Sequence, residues 1–171
     1  MDPVETQAGR RPARRRGVLV GLVVVLIAIA WIVKLLVVDL LADGRIVDLG
    51  LLQLRLGYNS GVAFSIGAGL PDGVVLAITA VVTVVLAGYA WVSAPTMSWV
   101  GVAGLAGILA GAITNLLSRF VDGAVADYFH TGWFATFNLP DSMITVGVVL
   151  VIASALFPRA QQAPPHPTAE A

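Results

Sequence analysis

The 171-residue sequence contains no cysteine and only two histidines, and charged residues make up only 12% of it. The absence of cysteine excludes a disulfide framework, a thiolate metal site and a cysteine nucleophile. Soluble globular domains have about 25% charged residues, so the low charge content argues against a soluble protein. A disordered chain needs low hydrophobicity and high net charge. The hydrophobic content of 58% and the formal net charge of zero therefore exclude that class as well.

The hydrophobic residues are concentrated in four long runs. About 20 apolar residues cross the hydrocarbon core of a bilayer as a helix, and the runs cover residues 17–38, 73–92, 99–117 and 142–157. The first run is longer than the apolar region of a cleaved signal peptide, and no small-residue cleavage motif follows it closely. The third run carries glycines at 101, 104, 107 and 111, and small residues let membrane helices approach closely. These runs predict one bundle of four transmembrane helices.

Two polar segments separate these runs on one side of the predicted bundle. Residues 51–56 (LLQLRL) partly alternate between apolar and polar side chains, which is typical of a strand at an interface. Residues 119–141 form a second polar stretch without a clear pattern. The predicted fold class is therefore an all-α membrane protein: four transmembrane helices with a small extracytoplasmic β-cradle between helices 1 and 2.

The two ends of the chain indicate its orientation. Five arginines lie within residues 10–16, just before the first run, and positive flanks stay on the cytoplasmic side. Four spans then return the C-terminus to the same side. We expect residues 1–16 to be a disordered basic tail, residues 17–157 the membrane domain and residues 158–171 a disordered cytoplasmic tail. A nucleic-acid partner is not expected, because that needs a basic surface across a folded domain.

Ionisable groups in or beside membrane spans are costly and tend to be functional. Asp127 follows the third predicted span and Asp141 begins the fourth, so both are expected at the same depth. Two neighbouring carboxyl groups share one proton, because both cannot ionise cheaply. One can then act as a base on water while the other donates to a carbonyl oxygen. On spacing alone, two acids that are merely solvated at the interface are the favoured interpretation.

Three sequence blocks surround these two aspartates. They are NSGVAF at 59–64, NLLSR and GAVADY within 115–128, and FNLPDSMI at 137–144. In this order on a four-span chain, they resemble the bacterial lipoprotein signal peptidase (signal peptidase II) family, over roughly residues 18–157. The resemblance implies a membrane aspartic endopeptidase. Such an enzyme removes the signal peptide of a diacylglycerol-modified prolipoprotein just before its lipidated cysteine.

The resemblance also implies roles for individual residues. Asp127 and Asp141 match the catalytic aspartates, and five further residues match the substrate-binding or supporting positions: Asn59, Gly61, Asn115, Arg119 and Asn138. The asparagines would also suit turns in any loop. The expected partners are prolipoprotein substrates and membrane lipid. We expect a monomer in the bacterial cytoplasmic membrane, with both termini cytoplasmic, the site at the outer face, and no metal or cofactor.

The sequence departs from the family pattern at three supporting positions. The first span of the family carries a D-Q-x-[ST]-K block, of which Ala30 to Lys34 retain only the lysine; Ser118 replaces an acid and Pro140 an alanine. These changes motivate an alternative: a catalytically altered paralogue that binds lipid-anchored peptides without cleaving them. A small proton-coupled transporter is a third hypothesis, and we rank it last. Lys34 itself is interpreted as a flank whose ammonium group reaches out to the membrane surface.

Overall fold

The computed structural model describes residues 3–59 and 70–157, with side chains from residue 13 onward. The elements, in chain order, are α1 (Pro3–Leu40), β1 (Val47–Asp48), β2 (Gln53–Asn59), α2 (Asp72–Ser93), α3 (Trp99–Asp122), β3 (Val125–His130) and α4 (Leu139–Leu156).

Each of the four helices contains a segment long and apolar enough to cross a membrane. The predicted fold class is therefore confirmed, although three helix ends lie three or more residues from the positions that the sequence indicated. In α1 the helix begins at Pro3 rather than at residue 17, and its span-length part is Ala13–Leu40. The division of the chain into tails and membrane domain stays a prediction. The other two shifted ends, those of α3 and α4, decide where the polar residues lie.

Helix α3 continues to Asp122, five residues beyond the predicted end of the third span. It stops at Gly123, whose φ of 76° is a left-handed conformation that glycine adopts without strain. Helix α4 begins at Leu139, because Asn138 caps it and a proline occupies its first turn. Arg119 and Asp141 therefore lie in helical end turns rather than in a polar loop.

Helix α3 is the centre of the bundle and packs against the other three helices. Its contact with α4 is made backbone to backbone. A Cβ atom at Gly104 would lie 2.7 Å from the carbonyl oxygen of Gly147, and one at Gly111 would collide with that of Pro140. The close approach expected from the glycine spacing is thus observed. It also brings the start of α4 against α3 one turn before Asn115.

The sheet has three antiparallel strands in the order β1-β2-β3. The first two lie between α1 and α2, as predicted, but β3 comes from the segment between α3 and α4. Its residues are mostly buried and do not alternate, so the sequence showed no strand pattern there. Strand β2 pairs with β3 so that Gly57 lies opposite Asp127 and Asn59 opposite Val125. This register brings two of the sequence blocks together.

Candidate active site

Asp127 lies on β3 at the end of the helix bundle, and its carboxyl group is held by two amides. The Nδ2 atom of Asn138 donates to Oδ1 at 2.8 Å, and the Nδ2 atom of Asn59 donates to Oδ2 at 3.3 Å. The residue is only 5% exposed. A carboxyl group removed from water in this way needs such partners, because burying it unpaired is costly.

Asp141 lies in the first turn of α4 and takes part in a reciprocal cap with Asn138. The side chain of Asn138 accepts from the Asp141 backbone N–H at 2.9 Å, and Asp141 Oδ2 accepts from the Asn138 backbone N–H at 3.1 Å. The second carboxyl oxygen accepts from Asn115 Nδ2 at 2.8 Å. The start of a helix also favours negative charge. Local helix-capping chemistry therefore fixes this carboxyl group.

Asn138 joins the two aspartates. Its side-chain amide donates to Asp127 and, at 3.3 Å, to Asn115 Oδ1, while its backbone N–H donates to Asp141. With 1% exposure, it is one of the most buried polar residues. The two carboxyl groups, from a strand and from a helix, thus lie on either side of one asparagine. Turn formation alone does not require these contacts.

The environment of Asp127 changes its acidity. Burial raises the pKa of this carboxyl group from 3.8 to about 6, and the neighbouring Asp141 raises it as well. The amides of Asn138 and Asn59 and the charge of Arg119 act in the opposite direction. A pKa near 6 means that this carboxyl group exchanges its proton close to neutral pH.

Arg119 lies one helical turn after Asn115 in the last part of α3. Its guanidinium donates to the Asn115 carbonyl oxygen at 3.3 Å, and its charge acts on both aspartates. The positive charge lowers the pKa of Asp127. Arg119 therefore balances the negative charge of the two acids.

Tyr128 connects β3 to the start of α4. Its hydroxyl oxygen accepts from the Leu139 backbone N–H at 3.1 Å, and its own backbone N–H donates to the Phe137 carbonyl oxygen at 3.0 Å. The side chain is 1% exposed, and burial raises the pKa of its phenol. The hydrogen bond of its hydroxyl group could not be predicted from residue type alone.

The structure brings together Asn59, Asn115, Arg119, Asp127, Asn138 and Asp141, which were predicted as site residues. Gly61 lies outside the described residues, so its role stays a prediction. Pro140, which replaces an alanine of the family pattern, occupies the first turn of α4, where proline is well tolerated. The cap between Asn138 and Asp141 is complete in its presence.

A second polar cluster lies beside this site, and sequence reasoning missed it. Lys34 is 9% exposed, pairs with Asp122 and lies 3.2 Å from the Ser118 hydroxyl oxygen. Its ammonium is also 4.1 Å from the centre of the Trp31 ring. The interpretation of Lys34 as a flank reaching the membrane surface is therefore wrong. The signal for its partner was the spacing of Ser118 and Asp122, four residues apart on one helix face.

The chemistry open to the site is proton transfer. Within residues 3–59 and 70–157, no three His, Asp or Glu side chains come together as metal ligands. Two carboxyl groups linked by one asparagine, with a guanidinium beside them, suit acid and base chemistry on a bound water.

The chain is similar in sequence to one family of known proteins. The family model described as signal peptidase (SPase) II matches residues 22–157. A lipoprotein signal peptidase of Mycolicibacterium smegmatis is 32% identical over 163 residues, which cover 91% of this chain and 68% of that protein. One from Brucella ovis is 40% identical over 125 residues, which cover 70% of this chain and 78% of that protein.

The fold also matches solved structures. A bacterial membrane enzyme determined by the in meso method at 2.3 Å resolution superposes with a TM-score of 0.69 at 20% identity, covering 86% of this chain and 94% of the other. A second one, at 1.9 Å resolution, gives 0.68 at 21% identity, covering 82% and 93%. At this identity the likeness concerns the fold alone. The family match over residues 22–157 and the four apolar helices show more than the fold. This chain is a multi-pass bacterial membrane protein and belongs to the signal peptidase II family of peptidases.

Proposed function

We propose that the protein is an aspartic endopeptidase that removes signal peptides from diacylglycerol-modified prolipoproteins, cutting just before the lipidated cysteine. Asp127 and Asp141 are the catalytic residues of this proposal. The observation that carries it is the position of Asn138, which donates to both carboxyl groups within a chain of this family.

In the proposed mechanism, the two aspartates hold one proton between them. The ionised carboxylate takes a proton from a water molecule, and the water oxygen attacks the carbonyl carbon of the scissile peptide bond. The protonated carboxyl group gives its proton to the carbonyl oxygen, which produces a tetrahedral diol. The carboxyl group that is now protonated then gives its proton to the peptide nitrogen, while the other carboxylate takes a proton from one hydroxyl of the diol. The C–N bond breaks, an amine and a carboxylic acid are released, and the pair again holds one proton.

The supporting residues have separate tasks in this proposal. Asn59, Asn115 and Asn138 hold the carboxyl groups in position, which is where much of the rate acceleration of such a site arises. Arg119 offsets the negative charge of the pair and stabilises charge that develops on the substrate carbonyl oxygen. Gly61 belongs to the same supporting set by its place in the first sequence block.

We further propose that the site faces the outer side of the cytoplasmic membrane and that both termini are cytoplasmic. Arg14 and Arg15 lie over the ring of Trp99, which begins α3, whereas Asn115 and Arg119 lie near its other end. Positive flanks stay inside, so the aspartates belong outside. A prolipoprotein, anchored by its lipid and its apolar signal helix, then reaches the site laterally within the bilayer. The enzyme acts as a monomer without metal.

Complementation tests this function. A bacterial strain depleted of its own lipoprotein signal peptidase receives this chain, the Asp127→Asn variant, the Asp141→Asn variant or the control Asp72→Asn, which changes an exposed acid outside the site. Immunoblotting separates prolipoprotein from mature lipoprotein. Processing by the chain and the control, but by neither site variant, supports the proposal. Processing by Asp127→Asn at the normal rate contradicts it.

A second candidate is a catalytically altered paralogue that binds lipid-anchored peptides without cleaving them. Ser118, where the family pattern has an acid, favours it. Stable insertion of the chain without any processing, together with co-purification of uncleaved prolipoprotein, would select this candidate.

A further inference from the structure

Lys34, Ser118 and Asp122 form a polar cluster between α1 and α3 that has no part in the proposed chemistry. The Lys34 ammonium pairs with the Asp122 carboxylate and lies within hydrogen-bonding distance of Ser118 Oγ. The Lys34 side chain is 11% exposed and that of Asp122 is 39% exposed. We call these three residues the lysine clamp.

Within the lysine clamp, Asp122 and Ser118 compensate the buried positive charge of Lys34. A lysine buried between membrane helices is costly unless an acid and further hydrogen bonds compensate it. Ser118 is uncharged, so Asp122 supplies the negative charge of the cluster. One ammonium and one carboxylate are thus matched, and the hydroxyl group of Ser118 is a second hydrogen-bond partner of the ammonium.

The position of the lysine clamp links it to the aspartates. Arg119 follows Ser118 directly, and Gly123 ends α3 directly after Asp122. Strand β3 begins at Val125 and carries Asp127. Fixing Asp122 against α1 therefore fixes both the last turn of α3, with Arg119, and the entry into β3.

We propose that Asp122 is a positioning residue, which takes over from one helical turn away the role of the acid that Ser118 replaces. Through Lys34 it holds the end of α3 and so sets the placement of Arg119 and Asp127. This inference rests on the proposed function for its effect on catalysis. Asp122 itself touches neither substrate nor the two catalytic carboxyl groups in this account.

The geometry allows the acid that pairs with Lys34 to stand at position 118 instead of position 122. Residues 118 and 122 lie on one face of α3, and the side chain at 118 already reaches the Lys34 ammonium at 3.2 Å. A carboxylate at 118 can therefore pair with Lys34 if the one at 122 is removed. With both present, one ammonium faces two carboxylates, so one carboxylate has no counter-charge. Position 118 is only 2% exposed, so water cannot compensate a carboxylate there.

The experiment compares four purified full-length variants with the wild type in lipid nanodiscs: Asp122→Asn, Ser118→Asp, the double variant Ser118→Asp/Asp122→Asn, and the control Asp72→Asn. Both kcat and KM for a synthetic lipidated prolipoprotein peptide are measured below the lowest unfolding temperature. The unfolding temperature of each variant is measured separately.

We expect Asp122→Asn to lower kcat about tenfold, with KM changed less than about twofold, because the catalytic groups are misplaced while the substrate still binds. The double variant should return to within about threefold of the wild-type kcat and regain most of the lost unfolding temperature. Ser118→Asp alone should lose both activity and stability, because its extra charge is unpaired. The control should match the wild type.

Wild-type kcat in Asp122→Asn, or no rescue in the double variant, overturns the inference. The outcome is separable from the proposed function. If the wild type cleaves nothing, the proposed function fails, whereas the transfer of the ion pair is still decided by the unfolding temperatures of the single and double variants. No rescue of the unfolding temperature then overturns the lysine clamp by itself.

Discussion

Charged residues lie beside both ends of α3, but their partners differ: those at its start belong to α1, and those at its far end belong to α3, β3 and α4. At the start of the helix, Arg15 donates to the Pro95 carbonyl oxygen at 2.9 Å, and Arg16 lies over the Trp91 ring. At the far end, the side-chain amides of Asn115 and Asn138 donate to the two aspartates, and the charge of Arg119 acts on both of them. The first arrangement uses cations against carbonyl groups and rings, which suits anchoring. The second brings opposite and like charges together, which suits proton transfer.

The difference shows that charge alone does not mark a site in this protein. The basic residues of α1 beside the start of α3 are as well partnered as Arg119 near its end. What distinguishes the far end is that two acids share one neutral partner, Asn138, and that the pKa of Asp127 is raised to about 6. Breaking each end separately should therefore have very different consequences.

The largest effect is expected at the aspartates. Asp127→Asn or Asp141→Asn should lower kcat about 10³-fold or more, because the pair loses either its acid or its base. Cleavage of a lipidated prolipoprotein peptide by purified protein in nanodiscs measures this. Asp72→Asn should retain the wild-type rate. A variant at either aspartate with more than a tenth of that rate would remove the residue from the catalytic pair.

The next effect separates the two tasks of Asn138. Serine keeps the N-cap oxygen that stabilises α4 but has no amide to donate to Asp127. Asn138→Ser should therefore keep the cap of α4 but lower kcat about 10²-fold, with some loss of unfolding temperature because the buried Asp127 carboxyl group loses one of its two amide partners. Asn138→Ala should lose the cap as well, at a cost of about 1 kcal/mol. Equal activity of Asn138→Ser and the wild type would show that the shared amide is dispensable.

A stability effect follows from the pKa of Asp127. The folded-state value of about 6 is above the ordinary 3.8, so the folded state binds this proton more tightly than the unfolded state. The free energy of unfolding should fall by at most about 3 kcal/mol as the pH rises from 3.8 to about 6. The decline should be smaller in Asp127→Asn. Thermal unfolding of both proteins across this pH range measures it, and parallel curves would refute the assignment.

A small effect is expected at the opposite end of α3. Arg15→Ala removes hydrogen bonds to carbonyl groups that water or lipid headgroups can replace, so stability should fall by no more than about 1 kcal/mol. Activity should stay within about twofold of the wild type. The peptide assay and thermal unfolding check both numbers. A loss of activity comparable to that of Asn138→Ser would mean that the two ends are coupled.

No effect is expected from chelators, because the proposed mechanism uses two carboxyl groups and water. Peptide cleavage should be unchanged after incubation with EDTA. Loss of activity that added zinc restores would contradict the metal-free mechanism.

Much of this architecture was predictable because each helix that crosses a bilayer needs a run of about 20 apolar residues, which is easily recognised in a sequence. Four apolar runs predicted four helices, and the glycines of the third run predicted a close approach of another helix, which proved to be α4. The alternation at residues 51–56 indicated part of the sheet. Strand β3 was not predicted, since Val125–His130 is mostly buried and lacks a two-residue period. Its existence depends on pairing with β2, which is distant in sequence.

The sequence indicated which residues form the candidate site, but not the hydrogen bonds between them. Sequence blocks indicated Asp127, Asp141 and Asn138, but not that one asparagine contacts both acids. That contact depends on a helix cap and on a strand meeting in space. The ion pair of Lys34 with Asp122 was missed for a similar reason: Asp122 was assigned to a loop, and only the longer α3 turns it toward α1.

The central claim is that the carboxyl groups of Asp127 and Asp141 interact electrostatically and share a proton. Infrared spectroscopy of the protonated carboxyl band, taken as the difference between wild type and Asp127→Asn over a pH titration, measures this directly. The account predicts a proton released near pH 6 in the wild type, and release at lower pH in Asp141→Asn, where the neighbouring charge is absent. Release near the ordinary value of 3.8, or an identical titration in Asp141→Asn, would contradict it.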